Sequence, residues 1–299
     1  MSTAALLLPD FLLIACGFVL CRYTALDRRL WDGVERLVYY LLFPVLLYTS
    51  ILKSPLQPAQ TLGLAGAGVG TVLCGIGLAY AVKALPRVDP KLHAAGVQVA
   101  FRFNSYIALA LAERLAGARG LAWMALLIAL CVPLCNIAAV WPLARHGGHA
   151  YGRELLRNPL IIATVAGLLA NLAGLGLPAP VEISLQRMGS AALPLGLMAV
   201  GAGLALGGLR VAPGLAAMLL ALRHVALPLV AIGLASAFGL ASDQRQVVVA
   251  FGALPTSAAA YVLAARLGGN AAYVAGLVTV STVLAMLTLP LWLAWAARG

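Results

Sequence analysis

Polar residues that could bind an anion interrupt an apolar stretch near residue 100. The motif FRFNSY places Arg102, Asn104, Ser105 and Tyr106 within a run that otherwise has the composition of a membrane-spanning helix. A charged side chain at the centre of a bilayer costs about 2.5–3.5 kcal/mol on insertion scales, and such residues usually mark functional sites. The planar guanidinium of Arg102 can hold a carboxylate through two hydrogen bonds. The motif therefore predicts a binding site for a small organic anion.

A second polar interruption, the motif LPTS, lies in another apolar stretch nearer the carboxyl end. Pro255 lacks an amide hydrogen and clashes with the carbonyl group four residues earlier, which predicts a kinked or unwound helix. Asn, Ser and Thr favour helix N-caps, so half-helices are predicted to start near Asn104 and Ser105 and near Thr256 and Ser257. Each start offers unpaired amide hydrogens and about half a positive charge. Two starts that face each other would bind an anion.

These two interruptions belong to an internal repeat. The motif LAERLAG, which starts at Leu111, returns as LAARLGG from Leu263, and the same offset aligns Asn104 with Thr256. The chain is therefore predicted to contain two related halves, residues 1–150 and the remainder, 151–299.

The composition requires a membrane protein. Of the 299 residues, 63% are hydrophobic and 10% are charged, whereas about 25% are charged in an ordinary soluble domain. Apolar segments long enough to cross a bilayer recur along the whole chain. The ten predicted spans are approximately 4–22, 34–52, 60–83, 93–115, 120–143, 157–176, 188–208, 214–239, 246–266 and 271–295. We therefore predict an all-α integral membrane protein with ten transmembrane helices.

Five helices per half is an odd number, so the second half must cross the membrane in the opposite orientation. Roughly twice as many of the 20 Lys and Arg residues lie in loops on one side as on the other, which predicts that both termini face the periplasm. Arg114 then lies outside and Arg266 inside, as an inverted repeat requires. Inverted repeats are typical of secondary transporters, whose substrate sites lie near the midplane at interrupted helices.

Other function classes have little support in the sequence. The net charge of +11 is scattered through short loops, which argues against a nucleic-acid partner. The five cysteines lie in apolar segments without metal-ligand spacing, so neither a metal site nor a cofactor is predicted. The motifs HExxH and GxSxG are absent, which argues against an enzyme.

Several polar residues allow a plainer interpretation. Asn104 and Ser105 could simply bond across helices, and Arg102 could pair with a buried carbonyl or carboxylate group. Arg223, with His224 beside it, lies about two turns into the eighth span, where it could snorkel to the cytoplasmic face or act as a coupling or structural charge. Asp10 in the first span is a candidate proton-coupling carboxylate near the outer end.

Longer motifs carry a family resemblance over most of the chain. The segments LLLPDFLLIACGFVLCR, RLVYYLLFPVLLYTSIL, RNPLIIATVAGLLANLAGLGLP, ALPLGLMAVGAGLAL and LPTSAAAYVLAARLGGNAAYVAGLVTVSTVLAMLTLPLW resemble the auxin efflux carrier family. The FRFNSY form is most similar to bacterial malonate-type carriers. The resemblance implies a transporter of a small mono- or dicarboxylate, such as malonate or malate, in the bacterial inner membrane.

The same resemblance implies a fold like that of the bile acid/sodium symporters. Spans 1, 2, 6 and 7 would form a scaffold, and spans 3–5 and 8–10 a transport domain that moves like an elevator, with broken spans 4 and 9 crossing at the substrate. Asn104 and Pro255 match the family's site residues. The fourth span departs from the family because no proline follows Asn104.

Coupling and assembly are left open at this stage. The ninth span has no acidic residue that would mark a sodium site, which favours protons as the coupling ion or a uniport. A sensor or channel without coupled carriage is the alternative function. The sequence also leaves open whether the protein forms a homodimer, and whether it imports or exports its substrate.

Overall fold

The structure, a computed structural model, describes residues 3–52, 58–86, 88–144, 159–204, 208–257 and 259–297. These residues form helices joined by short turns, and this described part contains no strand. The helices are α1 (Thr3–Tyr23), α2 (Arg28–Leu52), α3 (Pro58–Ala81), α4 (Pro90–Gly96), α5 (Gln98–Phe101), α6 (Ser105–Ala144), α7 (Pro159–Leu172), α8 (Ala179–Ala202), α9 (Pro213–Ala237), α10 (Ser242–Ala253), α11 (Ala259–Arg266) and α12 (Ala271–Ala296).

The prediction of an all-α membrane protein is confirmed. Five helical stretches of the described chain are long and apolar enough to cross a membrane: Arg28–Leu52, Thr61–Ala84, Pro90–Pro142, Pro213–Ala237 and Ala271–Ala296. Two shorter apolar helices cover Phe11–Tyr23 and Ile162–Leu172. The longest stretch contains two predicted spans, because α6 bends sharply at Ala116 and Gly117, where Gly117 has a φ of 57°. The count of ten spans and the inverted repeat stay predictions.

Side-chain caps and prolines set several helix starts. Asp27 caps α2 by accepting from the amide of Leu30, and Asp89 caps α4 by accepting from the amides of Lys91 and Leu92. The helix α8 begins at Ala179, earlier than the predicted start at residue 188, because Pro180 suits the first helical turn. The extra turns contain the charged residues Glu182 and Arg187, which lie before the predicted apolar span.

Four helices, α1, α2, α7 and α8, pack closely on one another and are called the α1 group. The helix α1 packs along α8, while α2 lies against both α7 and α8. Gly17 of α1 touches the backbone of Met198, and Gly201 of α8 touches the backbone of Ile14, with no room for a Cβ at either glycine. Such close backbone approach is what small residues provide between helices in a membrane.

The other helices, α3–α6 and α9–α12, form the α6 group. The helix α3 packs on α6 and α9, and α10 packs on α6, α9 and α12. Helices of the two groups also pack on each other, and two side-chain contacts illustrate this. The rings of Phe43 (α2) and Tyr106 (α6) stack with centroids 4.8 Å apart, and Arg28 Nη2 (α2) donates to the hydroxyl of Tyr261 (α11) over 3.4 Å.

Candidate functional site

The first predicted break is an extended segment, residues 102–104, between α5 and α6. Arg102 leaves helical geometry with φ −73° and ψ 147°, and helix resumes at Ser105. Asn104 Oδ1 accepts from the amides of Tyr106 (3.0 Å) and Ile107 (3.2 Å), so Asn104 caps the new helix. The break therefore forms without the proline that relatives usually have a few residues beyond this asparagine.

The second predicted break covers residues 254–257, between α10 and α11. The last helical residue is Ala253, and Leu254 has φ −56° and ψ 149°. Ser257 Oγ accepts from the amide of Ala259 at 3.3 Å, at the start of α11. The prediction that the helix is interrupted at Pro255 is thus confirmed.

The two breaks touch through their backbones. The amide of Asn104 donates to the carbonyl oxygen of Pro255, with an N–O distance of 2.9 Å. This bond places the beginnings of α6 and α11 next to each other deep in the α6 group, where Asn104 and Thr256 are both buried. The positive ends of two helices therefore meet at one point, although the breaks are far apart in sequence.

Arg102 lies beside this meeting point, and its side chain makes few contacts with polar groups. Its Nη1 donates to Gln98 Oε1 over 3.2 Å, and this is the one hydrogen bond of its side chain within the described residues. Gln98 Nε2 donates in turn to the carbonyl oxygens of Ala95 and, in α11, Ala260. Arg102 is half-buried and has no carboxylate partner in the described chain, so most of its guanidinium hydrogens are available to a ligand.

Arg223 lies at the second break, and the prediction that it snorkels to the cytoplasmic face is wrong. The side chain is 2% exposed. Its Nε donates to Leu254 O at 2.5 Å, and its Nη2 donates to Phe251 O and Gly252 O, both at 3.1 Å. The guanidinium thus binds the carbonyl groups at the end of α10, where the negative end of the helix dipole favours a cation. These contacts are the ones that a structural charge would make.

Thr256 has two polar groups in different situations. Its amide donates to Ser281 Oγ of α12 at 3.0 Å. Its hydroxyl Oγ1 is buried and has no hydrogen-bond partner among the residues that the structure describes. A buried hydroxyl without a partner is costly and rare, and in a transporter site it can be completed by a ligand or water. Ser281 also contacts His224, which is buried too and does not snorkel.

Three predicted residues remain to be placed: Ser105, Tyr106 and Asp10. Ser105 and Tyr106 are half-buried at the start of α6, and Tyr106 contributes the ring that stacks on Phe43. Asp10 lies within α1, but its side chain falls outside the described residues. The structure therefore brings Arg102, Asn104, Ser105, Pro255, Thr256 and Ser257 together around one contact.

A cavity lies close to this contact, between the two helix groups. Its volume is about 300 Å³, and it is lined by α1, α2, α6 and α8, including Ala110, Glu113 and Ser190. Ala110 is six residues beyond Asn104 on the same side of the bend in α6, which corresponds to roughly 9 Å along a helix axis. The lining of the cavity on α6 therefore begins about two helical turns beyond the first break.

Three residues of the site were not singled out from the sequence. Gln98 is four residues before Arg102 and so on the same face of a helix, a spacing that could have revealed it. Ser281 and Thr288, seven residues apart on α12, also share a face. An apolar helix with hydroxyl residues on one face is common in membrane bundles, so that pattern alone indicates no site.

Comparison with known proteins places the chain in a functional class. A family model described as membrane transport protein matches residues 144–293, which is half of the chain. No curated protein matches the sequence. The match covers the second break and agrees in kind with the resemblance to the auxin efflux carriers.

Proposed function

The chain belongs to the membrane transport protein family, and from this premise we propose that it is a secondary active transporter of a small organic anion. The family and the apolar helices make it a multi-pass membrane transport protein, and transporters of this kind are not enzymes. The substrate class is inferred from the site. The observation that carries the inference is the hydrogen bond from the Asn104 amide to Pro255 O, which joins two helix starts.

The charge around the joined breaks favours an anion. Two helix starts each contribute about half a positive charge, and Arg102 adds a full one. Arg102 and Arg223 have no carboxylate partner among the described residues, and Arg223 is already engaged with carbonyl groups. The site therefore has an excess of positive charge that a bound anion would offset. Asn104, Ser105, Thr256 and Ser257 surround it with amide and hydroxyl groups.

A carboxylate suits the two kinds of donor at this point. The guanidinium of Arg102 can bind one carboxylate through two parallel hydrogen bonds, while Thr256 Oγ1 can donate to a second acceptor. A short dicarboxylate such as malonate or malate presents both acceptors within a few ångströms. This proposal agrees with the similarity of FRFNSY to malonate-type carriers.

The packing supports an elevator mechanism. We assign the α1 group, which contains spans 1, 2, 6 and 7, to the scaffold, and the α6 group to a transport domain that moves against it. Both breaks lie in the α6 group, so the whole site would move with it. The stacked pair Phe43 and Tyr106 lies on the sliding surface. Two inverted five-helix repeats, residues 1–150 and 151–299, with periplasmic termini in a bacterial inner membrane, complete the proposal.

Counterflow of labelled malonate in proteoliposomes tests the function. Vesicles loaded with unlabelled malonate should take up the label, and Arg102→Ala should lower the rate about 10-fold to 100-fold, since a charge-assisted hydrogen bond contributes about 1.5–3 kcal/mol. Asn104→Ala should also be impaired. The matched controls are Arg119→Ala, whose side chain is exposed, and Asn171→Ala, whose amide binds carbonyl groups of α2. Normal transport by both site variants would refute this site.

A further inference from the structure

A buried histidine is connected to the second break by hydrogen bonds. His224 lies in a π-helical turn of α9, Leu222–Ala226, and is 3% exposed. Its Nε2 lies 2.9 Å from Ser281 Oγ, and its Nδ1 lies 3.1 Å from Thr288 Oγ1. Ser281 Oγ also accepts from the amide of Thr256. A continuous path therefore runs from the broken helix to an imidazole.

The hydrogen count of this path assigns the tautomer. Thr288 has one hydroxyl hydrogen, which it donates to Leu284 O at 3.1 Å, so Thr288 Oγ1 accepts from His224 Nδ1. A neutral imidazole has one donor and one acceptor, and its Nε2 therefore accepts from the Ser281 hydroxyl. As a result, Nε2 is the atom that can gain a proton, and its only connection in the described chain leads to the break.

Few titratable or charged groups surround His224 in the described part of the chain. Arg223 is adjacent on the same helix and is held at the end of α10. The helix α5, which packs on this turn, contains no titratable residue. The titratable residues of α10 are Asp243 and Arg245, and that of α12 is Tyr273; all three lie in the first turn of their helix. The helix α3 contributes Cys74 and Tyr80, with Cys74 exposed and Tyr80 bonded to Ala138 O. The rest of α9 has none.

We propose that His224 takes up the proton that accompanies the anion, which makes the carrier a proton–anion symporter. This inference rests on the proposed function. A water-borne proton binds Nε2 on the side where the anion enters, and the same N–H bond breaks when the proton returns to water on the other side. Protonation turns Nε2 into a donor, so Ser281 Oγ accepts from it and the Ser281 hydrogen is released towards another acceptor. Thr256 Oγ1 and a bound anion are acceptors that the break offers.

Anion and proton binding are linked through charge. In the empty site, an imidazolium beside Arg223 would put two cations together in a medium of low dielectric constant, which is unfavourable. An anion at the break offsets that charge, so it favours protonation. By thermodynamic reciprocity the proton must increase anion affinity by the same factor. Neither partner is then carried efficiently alone, which is the requirement for symport.

Proton uptake on malonate binding tests the proposal. Purified protein in weak buffer is mixed with malonate, and the protons taken up are divided by the malonate bound, over about pH 5 to 8, where an imidazole changes charge. The wild type should approach one proton per malonate at some pH in this range, and His224→Gln should show none beyond the protonation of malonate itself. The matched control is His93→Gln. His93 is a buried histidine of α4 whose Nε2 lies 2.9 Å from Ala79 O of α3, a residue outside both breaks.

The outcomes separate the two proposals. Malonate binding by the wild type without proton uptake, or an unchanged ratio in His224→Gln, would overturn the inference and leave the anion carrier standing. An equal loss in His93→Gln would overturn it too. If His224→Gln does not fold, His224→Asn decides, because it also lacks a group that titrates between about pH 5 and 8; a wild-type ratio there contradicts the proposal. Absence of carboxylate binding in the wild type would remove the proposed function and the inference together.

Discussion

The helix breaks at Asn104 and at Pro255 meet in the structure, but different interactions maintain them. At the first, a cap by Asn104 starts the new helix, and Arg102 within the break makes one hydrogen bond. At the second, Pro255 interrupts the helix, and Arg223 arrives from α9 to bind three carbonyl groups. The side chain of the first arginine is largely available to a ligand, whereas that of the second already binds three carbonyl groups. We therefore propose that the first break recognises the ligand and that the second provides a fixed frame.

The largest expected effect is on stability at the second break. Arg223→Met keeps the length of the side chain but leaves the carbonyl groups of Phe251, Gly252 and Leu254 without a donor, so we expect a loss of at least about 3 kcal/mol. The melting temperature of the detergent-solubilised protein should fall by roughly 6–12 °C. Arg119→Met is the control, because its ion pair with Asp243 is exposed and contributes at most about 1 kcal/mol. An unchanged melting temperature for Arg223→Met would contradict the structural role.

At the first break, arginine removal should affect transport far more than stability. Arg102→Ala loses one described hydrogen bond, to Gln98, so the melting temperature should change by much less than in Arg223→Met. Malonate affinity should fall about 10-fold to 100-fold. Arg102→Lys should be intermediate, since it keeps the charge but loses the fork that binds both carboxylate oxygens. Equal loss of stability in Arg102→Ala and Arg223→Met would erase the distinction between the breaks.

The cap of the first break should have a moderate effect. Asn104→Ala removes the acceptor for the amides of Tyr106 and Ile107, at a cost of about 1 kcal/mol. Asn104→Ser should recover most of this stability, because serine is also a good N-cap. The main-chain bond to Pro255 is present in both variants. Chemical denaturation would measure the difference, and equal stability of the two variants would show that the cap is not what holds this helix start.

The smallest effect on stability is expected at the unpartnered hydroxyl. Thr256→Val removes a buried Oγ1 that has no partner in the described part of the chain, so the fold should lose nothing and should gain up to about 1 kcal/mol. Malonate affinity should nevertheless fall severalfold, because the bound carboxylate loses a donor. Thr282→Val is the matched control, as Thr282 is buried on α12 but donates to Val278 O at 2.9 Å. If Thr256→Val were less stable but bound malonate with unchanged affinity, the Thr256 hydroxyl would have a structural role and not a role in binding.

Local patterns were sufficient to predict where the helices break. Polar N-cap residues and Pro255 act on their own segments of backbone, and the repeated motif aligns the two breaks from sequence alone. The destination of Arg223 could not be predicted in the same way. Its depth in the span allowed either snorkelling or burial, and the choice depends on carbonyl groups that α10 supplies from another part of the chain.

The same limit applies to Gln98 and Ser281. Their roles follow from which helix faces which, and helix packing in a membrane depends on small residues and shape as much as on polar groups. The early start of α8 has a local cause that an apolar window cannot detect, because Pro180 and Glu182 suit a first helical turn but not a hydrophobic segment. The sequence therefore predicted which segments are helical, but not which side chains bind each other.

The central claim is that the two joined breaks form the anion site, and an experimental structure with malonate bound tests it most directly. The account predicts malonate density beside Asn104 and Pro255, with carboxylate oxygens about 2.7–3.2 Å from the Arg102 guanidinium and from Thr256 Oγ1. Malonate bound instead in the cavity beside Glu113 and Ser190, with Arg102 and Thr256 making no contact to it, would contradict the claim.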